Sequence, residues 1–312
     1  MSLTSQPATD PRRLLCDVPT LASWLAEPAL RPVLVDVSFD LADPAAGERA
    51  YAESRLPGAF YAHIERDLSA PKQPDATTGR DPRGRHPLPD REAFARRVAL
   101  WGVVPGTQVV VYDRQGAMFA ARLWWLLRWL GHETVSVLDG GLPAWVGEGR
   151  PLERGRPSAR DVDPSTPFEA YPARPALVAT VDAAALQREL GRVRLIDARA
   201  PERFRGEVEP LDPVAGHIPG AANRFFQRNL APDGRFKTGA ALRAELAPWL
   251  SGSSDVAALP VVHHCGSGVT ACHNVLAQAL AGLGSGALYA GSWSEWCADP
   301  SRPVARSAST AT

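Results

Sequence analysis

The second half of this chain restates its first half, and no other feature restricts the fold so strongly. "PVLVDVSFD" (Pro32–Asp40) parallels "VRLIDARAPE" (Val193–Glu202), with Asp36 and Asp197 161 residues apart. "LPGAF" (Leu56–Phe60) parallels "IPGAAN" (Ile218–Asn223), with Pro57 and Pro219 162 apart. "QVVVYD" (Gln108–Asp113) parallels "PVVHHC" (Pro260–Cys265). "LDGGLPAW" (Leu138–Trp145) parallels "YAGSWSEW" (Tyr289–Trp296), 151 apart at both Gly140/Gly291 and Trp145/Trp296. Four matches in one order mark a tandem duplication, and 312 residues are enough for two domains of ordinary size.

Each half alternates strand and helix. "PVLVDV", "QVVVYD", "TVSVLDG", "VRLID" and "LPVVHH" are short apolar runs, the pattern of strands covered on both faces in a parallel sheet. Met118–Gly131 and Thr270–Gly284 carry helical spacing. In the second, Val275, Leu276, Ala279, Leu280 and Leu283 share a face and glycines end the pattern. The predicted class is α/β: two tandem domains, each a mostly parallel sheet flanked by helices on both faces. The predicted division is 17–150, a proline- and charge-rich linker at 151–176, and 177–305. Asp67–Pro89, a long polar insertion in the first half, is expected to be a functional lid or disordered. Disorder is also expected from about Pro303 onward.

Composition removes several function classes. Basic and acidic residues number 34 each, so the chain lacks the electrostatic footprint of a nucleic-acid binder. Lys72 and Lys237 are the only lysines, which disfavours Schiff-base chemistry. Four scattered cysteines (Cys16, Cys265, Cys272, Cys297) form neither a disulfide framework nor a C-x-x-C pair, and a reducing compartment fits them. Met1–Leu15 lacks an apolar signal core, and the most apolar run, Ala99–Asp113, is broken by Pro105 and Gly106. A cytoplasmic protein without membrane contact is expected. His263 and His264 alternate at a strand end with no second ligand cluster, so no metal and no cofactor is expected.

The chemistry centres on "VVHHCGSGVTACHN" (Val261–Asn274). Cys265 follows a buried-type strand and precedes a helix, at the carboxyl edge where open α/β sheets bind ligands. Amides of a short loop closing on a helix N-terminus stabilise an anion, which here would be a nucleophilic thiolate. Gly266 and Gly268 let the backbone bend and approach a ligand, and Ser267 and Thr270 add hydroxyl donors. A free cysteine otherwise packs as a small hydrophobe, and Cys16 and Cys297 read that way. Cys272, in the first helical turn, is a second thiol near the site. A cysteine phosphatase needs arginine six positions after the nucleophile, where this chain has Ala271. Asp113 occupies in the first half the position of Cys265, with Gly116 matching Gly268, so the first copy keeps the loop without a nucleophile.

"CGSGVTAC" (Cys265–Cys272), "DARAPERFRG" (Asp197–Gly206), "GHIPGAAN" (Gly216–Asn223), "GSWSEW" (Gly291–Trp296) and "GRHPLP" (Gly84–Pro89) resemble the two-domain rhodanese-like sulfurtransferases, more closely those acting on 3-mercaptopyruvate. The resemblance spans about Thr20 to Ala305 and implies two tandem rhodanese-like domains, the second catalytic. It implies that Cys265 takes sulfur from a donor as a persulfide and yields it to a second nucleophile, cyanide or a thiol such as a small thiol or thioredoxin-like protein, with a thiosulfate:cyanide sulfurtransferase as the alternative of the same class. It also implies that Ser267 relays a proton with His86 and an acid, Glu65 or its neighbour Asp67. The loop amides through Gly266, Gly268, Val269 and Thr270 would hold the persulfide. Arg203 would bind the donor's carboxylate, and Arg199 either assists or pairs structurally. By residue type alone, His86 reads as a solvated loop residue and Arg203 as a surface ion pair. Gly266 and Ser267 stand where thiosulfate-preferring relatives carry cations, which favours 3-mercaptopyruvate over thiosulfate. Leu211 stands where mercaptopyruvate enzymes often carry a second arginine. A non-catalytic persulfide carrier is the alternative of a different class.

Overall fold

The computed structural model describes residues 14–155, 170–250 and 259–306. The first unit runs β1 (Leu15–Cys16), α1 (Val18–Ala26), β2 (Val33–Asp36), α2 (Ala46–Glu53), β3 (Phe60–Tyr61), α3 (Arg91–Leu100), β4 (Val109–Tyr112), α4 (Ala120–Leu130), β5 (Val135–Leu138) and α5 (Gly141–Gly147). The second repeats that order with β6 (Thr180–Val181), α6 (Ala183–Arg188), β7 (Arg194–Asp197), α7 (Pro201–Arg205), β8 (Ala222–Asn223), α8 (Gly239–Leu250), β9 (Val261–His264), α9 (Ala271–Leu280), β10 (Ala287–Tyr289) and α10 (Ser292–Trp296). The sheets have equivalent orders, β1-β5-β4-β2-β3 and β6-β10-β9-β7-β8. Every strand pair within them is parallel.

Strand side chains alternate between two apolar layers, as a two-residue period requires. In β4, Val109 and Val111 enter one layer while Val110 and Tyr112 enter the other. The larger layer runs from the first unit into the second, joining Trp124 and Leu127 to Val275 and Leu276. Helix α4 packs on α9 across this junction. Each also lies on its own sheet, so α9 is buried all round rather than on the one face its spacing predicts.

Two expectations of disorder need correction. The insertion is neither disordered nor loosely held: Asp81 pairs with Arg83 and accepts from the Gln73 amide, Asp75 accepts from the Thr77 and Thr78 amides, and Arg80 donates to Leu211 O of the second unit at 3.3 Å. The chain after Pro303 is also fixed as far as it is described. Trp296 Nε1 donates to Pro303 O at 2.8 Å, and Ala305 exchanges backbone hydrogen bonds with His217 at 2.8 and 2.9 Å. Residues 307–312, and 156–169 of the expected linker, lie outside the described residues. Among those described, no helix is long and apolar enough to cross a membrane.

Candidate active site

Cys265 leaves β9 at the carboxyl edge of the second sheet and is almost fully buried. Its loop is clamped from β10 and α10: the Cys265 amide donates to Ser292 Oγ at 3.1 Å, while Trp293 and Ser294 amides donate to the carbonyls of Cys265 and Gly266. Gly268 has φ of 76°, and a Cβ there would lie 2.2 Å from Ala290 O. It therefore closes the loop rather than lining the cavity. Below the loop, Arg122 reaches in from α4, its guanidinium wholly buried, donating to Gly268 O at 3.0 Å and to His86 O at 3.2 Å. No oxygen among the described residues accepts from the amides of Gly266, Ser267, Gly268, Val269 or Thr270.

The first unit brings His86 to this loop. His86 Nδ1 lies 2.7 Å from Ser267 Oγ, both nearly buried. Burial, then the charges of Arg122, Arg85 and Lys72, push the imidazole down to about 3, so the ring is neutral and one of its nitrogens can accept a hydrogen bond. Glu65 Oε1 is 3.9 Å from His86 Nε2, beyond a direct hydrogen bond, and pairs with Lys72 at 2.5 Å. Asp67 turns elsewhere, accepting from the His63 amide at 2.8 Å and pairing with Arg97 at 3.2 Å.

A cavity of about 150 Å³ opens over the nucleophile loop. Cys265, Gly266, Ser267, Val269 and Thr270 form its floor, Phe225 and Phe226 an apolar flank, and Leu41, Met118 and Phe119 of the first unit the opposite wall. Three arginines border it: Arg199, Arg203 and Arg85. Arg199 is consumed by structure, donating to both Asp197 oxygens and to Gly216 O, with its guanidinium over Trp293. Arg203 donates to Glu209 through Nε at 3.3 Å and Nη2 at 2.6 Å. The sequence reading passed over Arg85 and Arg122. Arg85 precedes His86 within "GRHPLP", which was a usable signal; Arg122 sits mid-helix among tryptophans and leucines, where an arginine among apolar residues was the only hint.

The other cysteines are poor nucleophiles. Burial pushes Cys272 up to about 12 and Cys297 up to about 11, and raises Cys16 further. Cys272 Sγ instead donates to Gly268 O at 3.3 Å, bracing the same loop as Arg122.

With this geometry in place, comparison with known proteins is specific. The rhodanese-like domain family matches residues 18–148 and again 180–299. A probable 3-mercaptopyruvate sulfurtransferase of Pseudomonas aeruginosa is 49% identical over 291 residues, covering 91% of this chain and 95% of its own. A putative thiosulfate sulfurtransferase of Mycobacterium tuberculosis is 42% identical, covering 88% and 90%. The solved 3-mercaptopyruvate sulfurtransferase of Leishmania major superposes with a TM-score of 0.73 at 29% identity, covering 94% of this chain and 76% of that one. The duplicated sheets, the cysteine loop and these likenesses agree: the chain belongs to the rhodanese-like family, as a tandem two-domain sulfurtransferase working through a cysteine persulfide.

Proposed function

We propose that Cys265 carries the sulfur and that 3-mercaptopyruvate is the preferred donor. The observation that carries this reading is the 2.7 Å contact between Ser267 Oγ and His86 Nδ1 beside the nucleophile. Thiosulfate holds no proton to relay, whereas a mercapto donor does. The Cys265 thiolate attacks the donor sulfur, a new S–S bond forms, and the donor's C–S bond breaks with its electron pair left on carbon. The proton of the donor thiol, passed through Ser267 and the neutral His86, quenches that carbanion and releases pyruvate. Cys265 is left as an anionic persulfide facing the uncommitted loop amides. A thiol acceptor, a small thiol or a thioredoxin-like protein, then takes the outer sulfur. The fold and cysteine usage are consistent with action in the cytoplasm, and the units correspond to 17–150 and 177–305.

One observation favours thiosulfate instead: Arg85 and Arg203 both present guanidinium groups at the cavity, and a dianion would use them. Steady-state kcat/KM for the two donors decides, with mass spectrometry locating one added sulfur on the Cys265 peptide. A clear thiosulfate preference overturns the donor. A Cys265→Ser variant that still gains sulfur, or a Cys16→Ser variant that folds but does not, overturns the nucleophile.

A further inference from the structure

We infer that His273 is a positioning residue of the sulfur-transfer site, acting as one half of a reciprocal latch between the two units. This deepens the reading proposed above and rests on it for the proton relay through Ser267 and His86.

Each of the two equivalent loops is held by a side chain from the other unit's helix. Arg122, in the first turn of α4, donates to Gly268 O at 3.0 Å. His273, in the first turn of α9, lies with Nε2 3.0 Å from Gly116 O. Gly268 is the third residue after Cys265, and Gly116 is the third after Asp113. The same carbonyl of each loop is therefore gripped from across the junction, where α4 and α9 pack on each other.

The neutral His273 ring has one proton to give, and its neighbours place it. Nδ1 accepts from Asn229 Nδ2 at 3.1 Å. That amide is itself oriented: its Nδ2 also donates to Asn274 Oδ1 at 2.7 Å, and its Oδ1 accepts from Arg224 Nη2 at 3.3 Å. Nε2 is thus the protonated nitrogen, with Gly116 O as its acceptor. The ring stacks on Phe236 at 4.5 Å, and His273, Asn229 and Asn274 are all buried. A satisfied buried network of this kind is rigid.

Gly116 is a point of close fit between the units. Its φ is 64°, and a Cβ there would lie 2.7 Å from Leu230 Cδ1 of the second unit. The chain then enters α4 at Ala120 and reaches Arg122 in the same turn. Arg122 also donates to His86 O at 3.2 Å, and His86 Nδ1 meets Ser267 Oγ at 2.7 Å. Holding Gly116 therefore holds the start of α4, the guanidinium it carries and the relay histidine. The relay spans two units, so its geometry is only as good as their spacing. A misplacement of about 1 Å is enough to cost on the order of a hundredfold in rate.

His273→Phe keeps the ring that stacks on Phe236 and removes the donor, whereas His273→Gln keeps an amide able to reach Gly116 O. Hydrogen–deuterium exchange of segment 113–122 and steady-state kinetics on the full-length variants, with thermal melts alongside, test the latch. In His273→Phe that first-unit segment should exchange about threefold faster or more, although the substitution lies in the second unit. Its kcat with 3-mercaptopyruvate should fall by about tenfold or more with KM within about twofold, and its kcat with thiosulfate should fall much less. His273→Gln should recover most of the loss. His273→Phe combined with His86→Asn should be no slower than His86→Asn alone, because both act through one relay. Gly116→Ala, which disturbs the same carbonyl from the first-unit side, should reproduce the pattern with His273 intact, so the test survives if His273→Phe folds poorly. Wild-type exchange or wild-type kcat in a folded His273→Phe protein overturns the inference, as does additive loss in the double variant. Wild-type turnover of 3-mercaptopyruvate by His86→Asn would sink the relay reading alone, because the exchange measurement judges the latch separately.

Discussion

Asp113 and Cys265 stand at equivalent positions, each the first residue after the fourth strand of its unit, and they treat equivalent loops in opposite ways. The Asp113 carboxylate folds back into its own loop. Oδ1 accepts from the amides of Gln115 and Ala117 at 2.9 Å, and Oδ2 from Phe119 at 2.8 Å and Ala120 at 2.9 Å. The first copy has filled its anion cradle with a side chain, while the loop amides after Cys265 are left for a ligand. Both halves keep the loop, headed by aspartate in the first and by cysteine in the second.

Asp113→Asn tests the plug. An amide keeps the shape but replaces one acceptor oxygen with a donor that faces the Phe119 and Ala120 amides or the Gln115 and Ala117 amides. Stranding buried donors costs on the order of 1–3 kcal/mol. The urea midpoint should therefore fall, with the m-value unchanged and turnover per folded molecule near wild type. Unchanged stability would mean that the four contacts do not hold the first unit together.

Ser267 and His86 give a kinetic prediction. Ser267→Ala and His86→Asn should each lower kcat with 3-mercaptopyruvate by about a hundredfold or more, the usual worth of positioned proton transfer, while KM moves little. With thiosulfate the same variants should lose much less. Because His86 is pushed down to about 3, the kcat profile should carry no limb near the ordinary histidine value of about 6.5 that vanishes in His86→Asn. Finding such a limb would place a charged His86 in the resting enzyme.

Much of this was legible in the sequence, for physical reasons that differ by residue. The long central strands, β2, β4, β5, β7 and β9, are covered on both faces and so read as apolar runs. Strands β1, β3, β6 and β8 have two residues each, too short to show any period. Cys265 was visible because its loop chemistry is local. Arg85 and Arg122 were not, because their roles exist only once the first unit lies against the second. The order after Pro303 escaped for a similar reason: it depends on Trp296 and His217, which lie elsewhere in the chain.

Buried histidines set the acid limit. Burial pushes His86 down to about 3 and both His263 and His273 down to about 4, all below an unfolded value of about 6.5. The unfolded chain therefore binds more protons in this interval. Their contribution to stability is complete above about pH 6.5 and is lost as pH falls toward 4, at up to about 1.4 kcal/mol per pH unit for each ring. Unfolding free energy should drop steeply between pH 6.5 and 4.5. His273→Asn should flatten that slope, since it removes one ring held between Asn229, Gly116 O and the Phe236 face. A stability curve flat over this interval would contradict the assignment.

Arg122 is a buried cation with no carboxylate partner among the described residues, and burial pulls its guanidinium below the usual range. Opposing that pull, the anionic forms of Cys272 and Cys265 favour its charge. Cys272 is pushed up to about 12 and stays a neutral thiol, so the countercharge available to Arg122 is an anion in the Cys265 loop. By reciprocity, the cation favours that anion. Arg122→Met, which keeps the apolar volume, should slow iodoacetamide alkylation of Cys265 at neutral pH several-fold and lower kcat/KM for both donors by a common factor. Arg122→Lys, charged but unable to span Gly268 O and His86 O together, should lie between. Thermal melts run alongside separate this from unfolding. Wild-type alkylation in a folded Arg122→Met protein would leave the arginine as a brace between domains and nothing more, and unequal losses for the two donors would show that it acts on the donor itself.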